Sequence, residues 1–158
     1  MSYNTDAQPE VRFLVDLASV KKCFTPKYLK LFNIAFVSGH LDLTREEFNE
    51  HYRKPITEAI GRMEAIVVGD AKGCDLMTQE LVFELVGQDY GLYVYHMFDN
   101  PRNNPHSFRT EDGFRSDDER DEAMTASSTY DIAWVRPGRE KSGTARNLYR
   151  RRARSEVS

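Results

Sequence analysis

Asn33-Ile34-Ala35-Phe36-Val37-Ser38-Gly39-His40 decides how this chain folds. A compact apolar run that ends on a small residue and a glycine reads as a strand buried on both faces and opening into a tight turn. The pattern recurs. Ala65 to Val68 runs into Gly69-Asp70-Ala71-Lys72-Gly73-Cys74-Asp75, and Ile132 to Val135 runs into Arg136-Pro137-Gly138 and then Ser142-Gly143-Thr144. Leu92 to Met97 gives one more strand. Helical spacing fills the intervals between them. Thr44 with Glu47 forms a capping box ahead of Phe48, Tyr52, Ile56, Ile60 and Met63, and Pro55 is expected to kink or interrupt that helix. Further helices are expected after the Gly69 to Asp75 turn, over 117–128 and over 144–154. Strands alternating with helices predict an α/β three-layer sandwich with a mostly parallel sheet of at least four strands, in an order that periodicity does not fix.

The 158 residues fit one domain, and a hydrophobic content of 40% is enough for one sizeable core. We expect an N-terminal extension, 1–32, packed on a main domain, 33–154, with a tail at 155–158. Residues 98–116 carry no periodic pattern but several prolines, asparagines and a glycine, so they read as a candidate lid. A net charge of −3 gives no general pull toward nucleic acid or anionic membrane, and no apolar run approaches the ~20 residues of a membrane span. The polar, acidic start does not read as a secretory signal, and two cysteines make no disulfide framework. A cytoplasmic protein without membrane contact is the expectation.

Strand, glycine turn, helix is the arrangement that aims unpaired backbone amides at an anion, and ligands of parallel sheets gather at the carboxyl ends of the strands. The candidate binding residues are therefore Ser38, Gly39, His40, Gly69, Asp70, Lys72, Gly73, Gly138, Ser142, Gly143 and Thr144. His40 either bonds a phosphate or ribose hydroxyl or is a loop histidine bonded to a neighbouring carbonyl. Asp75 either caps its helix or acts on a ligand. Lys72 meets phosphate or solvent. Ser142 caps the last helix or, with Gly143 and Thr144, helps to cradle a phosphate. Phe36, Met124 and Trp134 read as core.

Val37-Ser38-Gly39-His40, Gly69-Asp70-Ala71-Lys72-Gly73-Cys74-Asp75, Arg120-Asp121 with Met124, Asp131 and Ser142-Gly143-Thr144, in that order, resemble the Rossmann-like SLOG superfamily of Smf/DprA and LOG proteins. More distantly they resemble nucleoside deoxyribosyltransferases. The resemblance spans about residues 33–154. It implies a nucleotide or nucleotide-derived ligand, such as a nucleoside phosphate or an ADP-ribose-like compound, in a binder or sensor. Phosphate would lie on Gly143 and Thr144, with sugar and base near Gly39, His40, Gly73 and Asp75. Arg120 falls where the family places an arginine near the ligand, and it either pairs with phosphate or bridges Asp117 or Asp121. The superfamily often forms dimers, so a homodimer is expected. No cofactor or metal is implied.

One departure bears on chemistry. LOG-type enzymes carry Pro-Gly-Gly-x-Gly-Thr-x-x-Glu, whereas Pro137-Gly138 here is followed by Arg139-Glu140-Lys141-Ser142-Gly143-Thr144, and Asn147 stands at the glutamate position. An amide neither takes a proton nor attacks as a carboxylate. Splitting an N-glycosidic bond would need another carboxylate, for which Asp75, Glu119 and Asp121 are the candidates. Such an enzyme, a hydrolase or deoxyribosyltransferase, is the second expectation. Arg146, Arg150, Arg151, Arg152 and Arg154 leave a third, DNA association, which the acidic balance disfavours; alternatively they stabilise a helix C-terminus or face a neighbouring subunit.

Overall fold

The computed structural model describes residues 33–158, so the expected extension over 1–32 lies outside the described residues. Five strands form one sheet: β1 (Ile34–Ser38), β2 (Ala65–Gly69), β3 (Leu92–Tyr95), β4 (Arg109–Glu111) and β5 (Tyr130–Ala133). Every neighbouring pair is parallel, and the order is β4-β3-β2-β1-β5. The helices are α1 (Arg45–His51), α2 (Arg53–Gly61), α3 (Cys74–Val86), α4 (Asp117–Ser127) and α5 (Gly143–Val157).

Strand alternation assigns the layers. Ala35, Val37, Ile66, Val68, Leu92 and Val94 point to one face and pack with Phe48, Tyr52, Ile56, Met77 and Leu81 of α1, α2 and α3. Phe36, Val67, Tyr93 and Tyr95 point to the other and pack with Met124 of α4. α5 completes that second layer, against α4 and β5. With helices on both faces the central strands β1, β2 and β3 are almost wholly apolar, which is why their runs show no alternation in the sequence. The α/β three-layer architecture of the Rossmann-like kind is thus as the sequence predicts.

Thr44 and Glu47 make the expected capping box, each side chain meeting the other's backbone N–H, at 3.1 and 2.9 Å. Pro55 falls in the first turn of α2. Lacking an N–H, it cannot continue the ladder of α1, and the chain breaks into two helices at Tyr52. The candidate lid is different from expectation: within 98–116 lies β4, paired with β3 from Tyr93 opposite Arg109 to Tyr95 opposite Glu111. Three residues in an edge strand are too few to register as a period. The last helix also reaches further than expected, through Val157, and takes in most of the predicted tail.

The chain steps outward from β1 through β2 and β3 to β4, then returns to lay β5 on the other side of β1. Connections therefore diverge at β1 and β5, and the carboxyl ends of these strands border a crevice at the switch point.

Candidate functional site

A cleft of about 300 Å³ occupies that crevice, at the small end of the roughly 300–1,000 Å³ usual for ligand pockets. Of the expected residues, Ser38, Gly39, His40, Gly69, Asp75, Arg120, Asp121, Ser142, Gly143 and Thr144 line it. Phe36 and Met124, core residues as predicted, also form part of its apolar lining.

Tyr52 ties the ends of β1 and β5 together beneath the crevice. Wholly buried, its hydroxyl donates to the Ser38 carbonyl at 2.9 Å and accepts the Trp134 N–H at 2.9 Å, bridging β1 and β5 just where their pairing ends. His40 makes a second bridge. Its Nε2 accepts the Arg136 N–H at 2.9 Å, which requires a neutral ring; burial, then the nearby Arg139 and Arg136, hold its pKa below the ordinary value. The ring thus accepts from a distant backbone N–H instead of donating to a neighbouring carbonyl, and it also lines the cleft.

The first two turns interlock. Gly73 has φ +75°, and a Cβ there would lie 2.4 Å from the Leu41 carbonyl oxygen and 2.5 Å from that of His40. Gly39 likewise leaves room for Cys74, whose Sγ would be 2.6 Å from an added Cβ. These glycines serve contact between loops, and Gly73 does not line the cleft.

Asp75 lies in the first turn of α3 but does not cap it; Gly73 holds the cap position. The Asp75 carboxylate turns back instead, Oδ2 accepting the Ala71 N–H at 3.1 Å, and keeps only a little surface, open to the cleft. Burial pushes its pKa up to about 7, against the Ala71 hydrogen bond and the charge of Arg120, with Asp121 and Asp70 pushing the same way as burial. A carboxyl that is half protonated near neutrality can give or take a proton there.

Arg120 is spent on carboxylates. Nη1 reaches Asp117 at 3.0 Å and Asp70 at 3.4 Å, while Nε and Nη2 meet Asp121 Oδ1 at 3.1 and 2.9 Å. Asp70, expected to bind ligand, is instead buried behind the cleft, and Arg102 holds it through its N–H at 2.8 Å and Nη2 at 2.6 Å. Burial works to raise the Asp70 pKa, but these bonds outweigh it and leave the carboxyl below its usual range. Arg102 itself lines the cleft, and no local pattern announced it.

At the third turn Ser142 Oγ accepts the Ala145 N–H at 3.3 Å, so it caps α5. Thr144 and Asn147 are buried beside it, and Asn147 Oδ1 accepts from Arg150 Nη1 at 2.5 Å. The Ser38 hydroxyl, buried at the end of β1, has no hydrogen-bond partner among the described residues.

Lys72 is exposed, Gly138 lies in an outer turn at φ +85°, and neither lines the cleft. Glu119 is also elsewhere, because its carboxylate is turned to the Arg115 N–H at 2.9 Å at the head of α4. Among the expected catalytic carboxylates the fold therefore brings Asp75 and Asp121 to the cleft. Arg139, Arg146, Asp117 and Asn147 join them. Arg146 stood in sequence only as part of a basic cluster, two members of which pair with acidic side chains of the fold. Arg150 pairs with Asp118 at 2.8 Å, and Arg151 with Asp131 at 3.1 Å and the carbonyls of Thr125 and Ser128, both at 2.9 Å.

Among the described residues no group of acidic, histidine or cysteine side chains is arranged to hold a metal ion, and no helix is long and apolar enough to cross a membrane. No family model, no curated protein and no solved structure matches the chain.

Proposed function

We propose that the cleft binds a nucleotide or nucleotide-derived ligand, with its phosphate at the head of α5 and its sugar toward Ser38 and Asp75. The observation that carries this reading is the opening of the α5 N-terminus, a 15-residue helix, onto a crevice at the switch point of a parallel sheet. The Ser38 hydroxyl, without a partner among the described residues, supports it, since a buried polar group is costly to leave unbonded. Resemblance to the SLOG superfamily points the same way, and a binder or sensor, homodimeric and cytoplasmic, is the form of it we favour.

A second reading has an observation of its own. Asp75, its pKa raised to about 7, is about half protonated near neutral pH in the cleft, with Asp121 nearby and fixed by Arg120, the kind of carboxyl pair that N-glycosidic cleavage uses. Thermal-shift measurement against nucleotides and ADP-ribose-like compounds, with chromatography for released base, tests both. Stabilisation without turnover supports the binder. Release of base that Asp75→Asn abolishes, with binding kept, supports the enzyme. If no nucleotide stabilises the protein even at millimolar concentration, both readings fall.

A further inference from the structure

β2 and β5 lie on either side of β1, so the groups that follow them form two unlike walls of the cleft. On the β5 side the Ser142 hydroxyl and carbonyl take the N–H groups of Ala145 and Arg146, at 3.3 and 3.0 Å, while those of Gly143 and Thr144 head α5 with no acceptor among the described residues. Arg146 flanks them, exposed and without an ion pair among the described residues. Arg139 is there too, only loosely held by Asp42 at 3.5 Å. This wall is electropositive.

The β2 side is not. Asp75, Asp117 and Asp121 line it, with Asp70 directly behind. Its two cations are committed: Arg120 uses Nε, Nη1 and Nη2 on Asp70, Asp117 and Asp121, and Arg102 uses its N–H, Nε and Nη2 on Asp70. A phosphate placed there would meet carboxylates whose arginines are already taken, and like charges at close range repel strongly where water is scarce. Hydroxyl or amino donors, by contrast, would find acceptors. Ser38 stands between the walls, at the end of β1, on the strand face it shares with Phe36, with its buried hydroxyl unpartnered among the described residues. That hydroxyl is the second sign, independent of the helix terminus, that a ligand completes this cleft.

We propose that the cleft selects a ligand with one anionic group at one end and hydrogen-bond donors at the other, and rejects ligands that carry two or more phosphates. This rests on the proposed function and narrows it. A singly phosphorylated nucleoside and a pentose phosphate share the required chemistry, and a volume of about 300 Å³ suits either better than a dinucleotide.

Calorimetric titration of the full chain with nucleoside monophosphates, a pentose phosphate, unphosphorylated nucleosides, ADP and ADP-ribose tests it. At least one monophosphate is expected to bind about tenfold or more tighter than its nucleoside and than ADP and ADP-ribose, a difference of roughly one decade in Kd. The best of the nucleoside monophosphates against the pentose phosphate tells which source of the phosphate is preferred. Arg146→Gln is expected to remove the monophosphate's advantage over the nucleoside and leave nucleoside affinity in place, and Asp117→Asn to narrow the gap between monophosphate and ADP. ADP or ADP-ribose binding as tightly as every monophosphate would overturn the selection and leave nucleotide binding standing. Binding of none of these compounds would overturn both.

Discussion

Asp70, wholly buried at the end of β2, accepts the Arg102 guanidinium at 2.6 Å and also the Arg102 backbone N–H at 2.8 Å, although 32 residues separate the two in the chain. Asn103 adds a bond to the Asp70 carbonyl at 2.8 Å, so the segment between β3 and β4 is fastened to β2 rather than hinged above the cleft. Because Arg120 shares the same carboxylate, a single side chain sets the position of two of the cleft's arginines. Asp70→Asn removes the charge that both arginines face; Arg120 keeps Asp117 and Asp121 and Arg102 is partly exposed, so the cost is that of the weakened charge-assisted hydrogen bonds, about 1–3 kcal/mol. Arg102→Gln should cost less, since Arg120 still neutralises Asp70. Urea denaturation of the two variants checks the order, and an Asp70→Asn protein within about 1 kcal/mol of wild type would show the clamp to be idle.

The raised Asp75 pKa carries a stability consequence with a definite sign. Its folded pKa of about 7 lies above the ordinary value of 3.8, so the folded state holds a proton that the unfolded state has released. Stability from this group is fully present below pH 3.8 and is lost as pH rises through about 7. Neutral His40 works the other way, its contribution being lost as pH falls below 6.5. Comparing Asp75→Asn with wild type cancels the His40 effect. The variant's melting temperature relative to wild type should be higher at the alkaline end of this window than at the acid end, and a difference that stays flat with pH would contradict the buried, protonated state.

Two glycines of similar φ should respond to alanine in the same direction but to very different degrees. At Gly73 a Cβ would press on two carbonyl oxygens at 2.4 and 2.5 Å, backbone atoms that cannot swing aside, so Gly73→Ala should be strongly destabilising. At Gly138, with φ +85°, nothing lies within 4 Å of the added atom, and only the left-handed backbone resists, about 1–2 kcal/mol. Thermal melting of both proteins measures the difference.

Tyr52→Phe keeps the ring that stacks on Phe48 with centroids 5.6 Å apart, but leaves the Ser38 carbonyl and the Trp134 N–H without their shared partner. A loss of about 1–3 kcal/mol is expected, because buried backbone groups bear the cost of an absent bond. Hydrogen exchange at the Trp134 amide should rise more than at amides of β3, on the far side of the sheet. Equal acceleration at both would mean that the hydroxyl does not tie β1 to β5.

Much of the fold was legible locally. The Thr44–Glu47 box, the break near Pro55 and the apolar runs of β1, β2 and β3 each follow from interactions within a few residues or from strands buried on both faces, while β5 begins two residues before the expected Ile132, at Tyr130. β4 was not, since Arg109-Thr110-Glu111 is polar and takes its strand form from pairing with β3. The glycine turns do gather at one crevice, but Gly73, Asp70 and Glu119 do not line it. Gly73 answers to the carbonyls of His40 and Leu41, Asp70 to Arg102, and Glu119 to the Arg115 N–H; all but the last are partners from other segments.

By itself the sequence determined the class of fold and the rim on which its turns gather, because hydrophobic period, caps and glycine turns act over short spans of chain. Tertiary structure alone decided which charges face one another: that Arg120 is consumed by Asp70, Asp117 and Asp121, that Arg146 is left open beside the head of α5, and that Asp75 is enclosed enough to keep its proton. Electrostatic energy depends on distance and burial in space, and residues far apart in the chain acquire both only when the strands take their order.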